Sequence, residues 1–244
     1  MQKEKLTDWY SSWFDTPYYH ILYKDRGHKE AEAFMLRLTH FLDLKKNDTI
    51  LDLACGKGRH AISLSNMGFN VTGVDLSPSS INFAKQFESE NLKFRVHDMC
   101  LPYPQRFQAV FNLFTSFGYF KDEADNLRTI KAIKEELKPK GHGVIDFMNA
   151  AYVIKNLVPS EIKKVGGIVF HIKRYTAEGY IYKDIKFQHN DTDFSYTERV
   201  KALTLKDFKA YFKAAGMGLK HCFGNYQLEP FDEETSERLI LIFT

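Results

Sequence analysis

The stretch Ile50-Leu51-Asp52-Leu53-Ala54-Cys55-Gly56-Lys57-Gly58-Arg59-His60-Ala61 narrows the possible folds more than any other part of this chain. An apolar run ends in an acid, a glycine loop follows, and a helix-like pattern opens behind it. Gly56 and Gly58 carry no Cβ, so the backbone there can turn tightly and a ligand can approach it closely. The loop leads into a helix N-terminus, whose free N–H groups and dipole favour an anionic ligand group. Asp52, at the strand end, suits a ligand ammonium. A second apolar run, Asn70-Val71-Thr72-Gly73-Val74-Asp75, also ends in an acid. An acid at that place commonly accepts hydrogen bonds from a ribose. Together these residues make a nucleoside-binding βαβ unit.

Two cofactor classes fit that unit. Gly56-Lys57-Gly58-Arg59-His60-Ala61 matches the dinucleotide pattern with Ala as its last member, and Asp75 lies near the expected distance. Other features favour S-adenosylmethionine (SAM). The acid Asp52 precedes the glycines, and a third run, Leu92 to Met99, contains Asp98, placed to accept from an adenine amino group. A fourth run, Phe107 to Phe114, leads into Thr115-Ser116-Phe117-Gly118-Tyr119. A fifth, His142 to Asn149, follows Leu137-Lys138-Pro139-Lys140-Gly141. With these motifs in this order, the chain resembles the class I SAM-dependent methyltransferases over roughly residues 30 to 244.

The remaining sequence is compatible with that class. The chain has 244 residues, 44% hydrophobic and 27% charged, as expected of one α/β domain or a domain with an insertion. A net charge of +3 gives no argument for a nucleic-acid groove. The three cysteines, Cys55, Cys100 and Cys222, form neither metal-ligand spacing nor a disulfide framework, and the histidines are scattered, so no metal site is expected. No leader-like or membrane-spanning apolar run is visible, and a soluble, cytoplasmic protein is expected.

Along the chain, residues 7 to 26 are rich in aromatics, among them Trp9, Tyr10, Trp13, Phe14, Tyr18, Tyr19 and Tyr23. Glu30 to Leu44 has the spacing of an amphipathic helix. Five strands then alternate with helices near 59–67, 78–88 and 122–137, the pattern of a parallel sheet built from crossovers. Between Ile162 and Ala202, β-branched and aromatic residues broken by Ala177-Glu178-Gly179 and Asn190-Asp191-Thr192-Asp193 predict an antiparallel meander of about three strands. A helix over Leu205–Ala215 and strands over Leu219–Tyr226 and Arg238–Phe243 close the chain. The expected fold is α/β: a doubly wound, seven-stranded, mostly parallel Rossmann-like sheet with a small antiparallel β insertion. The expected parts are an N-terminal helical lid with the first part of the cofactor-binding core (1–150), the insertion (151–202) and the rest of the core (203–244).

The resemblance implies more. It implies the strand order 3-2-1-4-5-7-6 with the last strand antiparallel, and SAM as cofactor. It places Asp52, Ala54, Cys55 and Gly56 along the methionine half. Asp75 is expected on the ribose, Leu76 on the adenine, Asp98 and Met99 at the adenine edge, and Leu113 and Phe114 near the sulfonium. The N-terminal segment is expected to close the site, with Tyr19 over the cofactor and Arg26 at its carboxylate. The fourth strand end lacks the Asn/Asp-Pro-Pro-Tyr sequence of enzymes that methylate base amines or glutamine. Ser116-Phe117-Gly118-Tyr119 instead resembles small-molecule methyltransferases. The expected reaction is in-line transfer of a methyl group to a nitrogen or oxygen of a small molecule, with Tyr119 orienting the acceptor and His20 the candidate base by residue type. An RNA or protein methyltransferase is the alternative, and a nicotinamide-dependent reductase the distant one. The insertion is expected to form a wall of the acceptor pocket or a contact within a homodimer.

Overall fold

A computed structural model describes residues 13–24, 28–120 and 122–244. Trp9, Tyr10 and Arg26 lie outside the described residues. The described part divides into two compact units, one of residues up to 24 with Ile154–Ala202, the other of residues from 28 to Val153 with Leu203–Thr244.

In the larger unit, α2 (His28–Phe41) precedes β1 (Thr49–Leu53), α3 (Arg59–Asn66), β2 (Asn70–Asp75), α4 (Pro78–Ala84) and β3 (Leu92–Val96). β4 (Phe107–Asn112), α5 (Glu123–Glu136), β5 (Leu137–Met148) and α6 (Ala150–Lys155) follow. After the other unit come α7 (Leu205–Ala215), β10 (Leu219–Phe223) and β11 (Arg238–Phe243). The sheet order is β10-β11-β5-β4-β1-β2-β3, the order expected from the family resemblance. β1 pairs in parallel with β2 and β4, and β4 with β5, whereas β11 runs antiparallel to both β5 and β10.

The inner strands read as near-continuous apolar runs because helices cover both faces of a parallel sheet. Ile50, Leu51, Val110, Phe111, Val144 and Ile145 are accordingly fully buried. The helix starts follow from their caps. Ser77 Oγ accepts from Ser80 N–H at 3.0 Å with Pro78 behind it, and Asp122 Oδ1 accepts from Ala124 N–H at 3.0 Å. Thr204 and Asp207 form a reciprocal capping box on α7, which Gly216 closes in a left-handed conformation. β3 is shorter than the sequence suggests: it stops at Val96, so Asp98 sits in a turn where its Oδ1 accepts from Cys100 N–H at 2.9 Å. Among the described residues no helix is long and apolar enough to cross a membrane.

The smaller unit holds α1 (Pro17–Leu22) and four antiparallel strands in sequence order: β6 (Ser160–Val165), β7 (Ile168–Ala177), β8 (Tyr180–His189) and β9 (Thr192–Lys201). The sequence predicts about three. β6 escapes notice because Glu161, Lys163 and Lys164 break its apolar pattern, and its pairing with β7 is set by the two-residue loop Gly166-Gly167. Both glycines have positive φ (58° and 80°), as a type I′ hairpin requires. Glu178-Gly179 and Asn190-Asp191 turn the next two hairpins with positive φ as well. One face of this sheet buries Phe170, Ile172, Ile185 and Phe187 with Trp13 and Leu22 from the N-terminal segment. Glu198 on β9 accepts from Trp13 Nε1–H at 2.8 Å and from the Tyr23 hydroxyl at 2.7 Å, tying both ends of that segment to the sheet.

Candidate active site

Ligands in open α/β sheets bind outside the carboxyl ends of the strands. Here those ends carry Asp52 on β1, Asp75 on β2, Asp98 beyond β3, and Leu113 and Phe114 beyond β4. The turn from β1 into α3 sets the geometry: Ala54, Gly56 and Gly58 all have positive φ (60°, 55° and 82°). Close packing fixes the loop from behind. A Cβ on Gly58 would fall 2.5 Å from the Phe94 ring, and one on Gly73 would fall 2.7 Å from that ring and 3.0 Å from Cys55 Sγ. The Cys55 side chain is therefore part of the core, and its backbone is what the loop presents.

Asp75 holds the loop as well as the strand end. Its Oδ2 accepts from Gly56 N–H at 2.8 Å and its Oδ1 from Ser77 N–H at 2.8 Å. Both contacts fix the carboxylate at the carboxyl end of β2, the place where such an acid meets a ligand ribose. Asp52 is almost fully buried, and its Oδ2 has no hydrogen-bond partner among the described residues. Burial, and then the negative charge of Asp75, raise its pKa to about 7, opposed by the Ala61 N–H at the start of α3. A buried acid with one orphaned oxygen leaves a position that a ligand hydrogen-bond donor could fill. A ligand carrying both an ammonium and a carboxylate would satisfy Asp52 and the α3 N-terminus together. Leu76 is exposed on the β2 side, available to pack on a flat apolar ring. Met99 Sδ lies 3.7 Å from Asn112 Nδ2, and the same amide nitrogen donates to Leu53 O at 3.2 Å, linking the ends of β1, β3 and β4.

Beyond β4 the backbone turns through Phe114 and Thr115, which have positive φ (59° and 64°). The Phe114 ring stacks on His60 of α3 at 4.2 Å. Leu113 is buried in the core. The Tyr119 hydroxyl donates to Thr115 O at 2.7 Å. Tyr19 and His20 belong to the other unit, on α1, where Tyr19 packs against Trp13, Phe14 and Tyr23 and its ring meets His20 edge-on at 5.4 Å.

Four residues at this site escape the sequence reading. Asp146 on β5 is fully buried, and Arg238 at the start of β11 reaches it through Nε at 2.8 Å. The Tyr226 hydroxyl donates to Asp146 Oδ2 at 3.3 Å, and Arg238 Nη2 donates to Thr115 Oγ1 at 2.9 Å. A lone acid inside the run Val144-Ile145-Asp146-Phe147 is the available signal. Its partner is set by the β5–β11 register, in which Arg238 faces Met148, one diagonal step from Asp146 on the same face.

The sequence pattern of the family described as "Methyltransferase domain" matches residues 44–214. The putative methyltransferase YqeM of Bacillus subtilis is 35% identical over 120 residues, 48% of this chain and 48% of that protein. The chain spans about half the length, or less, of the curated relatives it matches. An S-adenosylmethionine-dependent methyltransferase from Clostridium acetobutylicum has a TM-score of 0.79 at 20% identity, covering 93% of this chain and 95% of that one. The SAM-bound amino pentose methyltransferase CalS10 from Micromonospora echinaspora has a TM-score of 0.71 at 19% identity, covering 91% and 94%. These last two likenesses concern the fold. With the family pattern across most of the chain, and with the glycine loop and three strand-end acids in place, the chain belongs to the methyltransferase-domain family of the class I SAM-dependent methyltransferases.

Proposed function

We propose that the protein transfers a methyl group from SAM to a nitrogen or oxygen of a small molecule. The observation that carries the cofactor reading is the pairing of two features at one loop. They are a buried, unsatisfied Asp52 oxygen against the start of α3, and an Asp75 carboxylate held at the carboxyl end of β2 by the N–H groups of Gly56 and Ser77. When bound, the cofactor supplies an electrophilic methyl on a sulfonium. Asp52 holds the ammonium and the α3 N-terminus the carboxylate. Asp75 holds the ribose, Leu76 covers the adenine face, and Asp98 and Met99 meet its edge. Ala54, Cys55 and Gly56 give backbone along the methionine half, and Leu113 and Phe114 close the sulfonium end against water.

A small acceptor is supported by the β4 end, Leu113 to Tyr119, which lacks the amine-methylating Pro-Pro-Tyr element, and by the amino-sugar methyltransferase among the fold neighbours. Tyr119 orients an acceptor through its hydroxyl, which its bond to Thr115 O holds in place. His20 is assigned as base on residue type alone; His20→Gln should then lower turnover of a protonated amine at pH 7 and leave it unchanged at pH 9. The segment before α2 acts as a lid, and the four-stranded sheet as an acceptor wall or homodimer contact; Glu198→Ala and the sedimentation mass, respectively, test these roles.

The first test is calorimetric titration with SAM and S-adenosylhomocysteine, with NADH for comparison. Tight adenosyl binding is expected; NADH binding in its place would turn the case to a reductase. Incubation with SAM and a panel of amino sugars, amino acids and small alcohols, read by mass spectrometry for an added methyl, then identifies the acceptor class. Methylation of RNA or protein alone would refute the small-molecule reading.

A further inference from the structure

The β4–α5 turn is held in an arrangement its own residues disfavour. Left-handed φ is strained at a non-glycine residue, and here Phe114 and Thr115, the second β-branched, adopt it in succession. Such a turn persists only when its surroundings over-determine it. Those surroundings come from two strands remote in sequence. Asp146 Oδ2 accepts from Phe114 N–H at 2.8 Å, and Asp146 O accepts from Thr115 N–H at 2.9 Å. Arg238 Nη2 then holds Thr115 Oγ1 at 2.9 Å while its Nε and Nη2 grip Asp146 Oδ1 at 2.8 and 2.7 Å. Tyr226 packs on the other side, 5.7 Å from the Phe114 ring and 4.6 Å from Phe34, and the Arg238 guanidinium lies 5.5 Å over its own ring.

We infer that the buried Asp146–Arg238 pair is a positioning device that fixes the Phe114–Thr115 turn against the methionine half of the cofactor site. The inference rests on the SAM reading above. The direction follows from the sheet order. β4 lies on one side of β1 and β2 on the other, so the turn after β4 borders the glycine loop and α3 through the Phe114–His60 stack. Asp75, Leu76 and Asp98 belong to the opposite, adenosine side. Loosening the turn therefore acts on one half of the ligand. Arg238 touches no reacting atom in this account and works through Thr115 and Asp146.

Calorimetric titration of the whole chain with SAM and with 5′-methylthioadenosine, which has the adenosine and sulfur but no amino-acid part, separates the two halves. Arg238→Gln is expected to weaken SAM about tenfold, as for the loss of one charged hydrogen bond, with methylthioadenosine shifting less than about twofold. Arg238→Lys keeps the charge without the fork and should fall between. Thr115→Ala removes the Arg238 contact without stranding the buried Asp146 charge. It should weaken SAM selectively by a smaller factor, and it decides the matter if Arg238→Gln fails to fold. Equal weakening of both ligands, or none, would make the pair merely structural and overturn the inference. If the unsubstituted chain binds neither ligand, the cofactor reading itself falls and takes this inference with it. If it binds both and the variants discriminate in no way, only the inference falls.

Discussion

Asp52→Asn should make the ligand-free protein more stable at pH 8 and leave it nearly unchanged below about pH 4. The Asp52 carboxyl moves from an ordinary 3.8 to about 7 in the fold, chiefly through burial and then through the Asp75 charge. Its folded pKa lies above its unfolded one. The stability it contributes is therefore fully present below about pH 4 and lost as pH rises through about 7. Each pKa unit corresponds to about 1.4 kcal/mol, so ionising Asp52 in the fold costs up to about 4 kcal/mol, and about 2–4 kcal/mol after local relaxation. Asn keeps the shape and removes the charge. Urea unfolding of both proteins at half-unit steps from pH 4 to 8.5 reads the difference directly. The parent should lose stability through that window, and the variant should lose less by about that amount. The same variant should bind SAM more weakly, since a ligand ammonium would no longer meet a carboxylate. Parallel pH curves for the two proteins would refute the argument, because the Asp52 carboxylate would then be solvated or paired in the fold.

Other perturbations follow from the same contacts. Asp75→Ala should weaken SAM binding by about 1–3 kcal/mol, and it should also speed amide exchange at Gly56, whose N–H it accepts. Gly73→Ala should destabilise by about 1–3 kcal/mol in thermal unfolding, since its Cβ would meet the Phe94 ring at 2.7 Å inside a packed core. Glu136→Gln should act like Asp52→Asn with a smaller amplitude: burial raises Glu136 to about 7, and the Tyr103 N–H opposes it. Glu198→Ala removes the acceptor for Trp13 and Tyr23; it should cost about 2–4 kcal/mol and open residues 13–24 to limited proteolysis.

Local chemistry wrote much of this fold into the chain. Period and caps fix α3, α4 and α7 because Gly58, Ser77-Pro78 and the Thr204/Asp207 box act within one turn of the residues they order. The strand-end acids Asp52, Asp75 and Asp98 are visible because each ends or follows an apolar run. β6 is not visible: Glu161, Lys163 and Lys164 leave it no apolar periodicity, and only pairing with β7 through Gly166-Gly167 makes it a strand. The extent of β3 is likewise decided by its neighbour, since pairing with β2 ends at Val96.

The sequence by itself determined the α/β class, the alternation of strands with helices and the acids around the glycine loop, because those depend on residues adjacent in the chain; the seven-strand order came from the family resemblance. Tertiary structure alone decided the pKa of Asp52 and the Asp146–Arg238–Thr115 network. Burial and charge at Asp52 come from the elements packed over it. The network joins residues 92 and 123 positions apart, brought together by the antiparallel insertion of β11 beside β5. No local rule encodes a register between strands so distant, since it is settled only when every side chain on both faces finds its place.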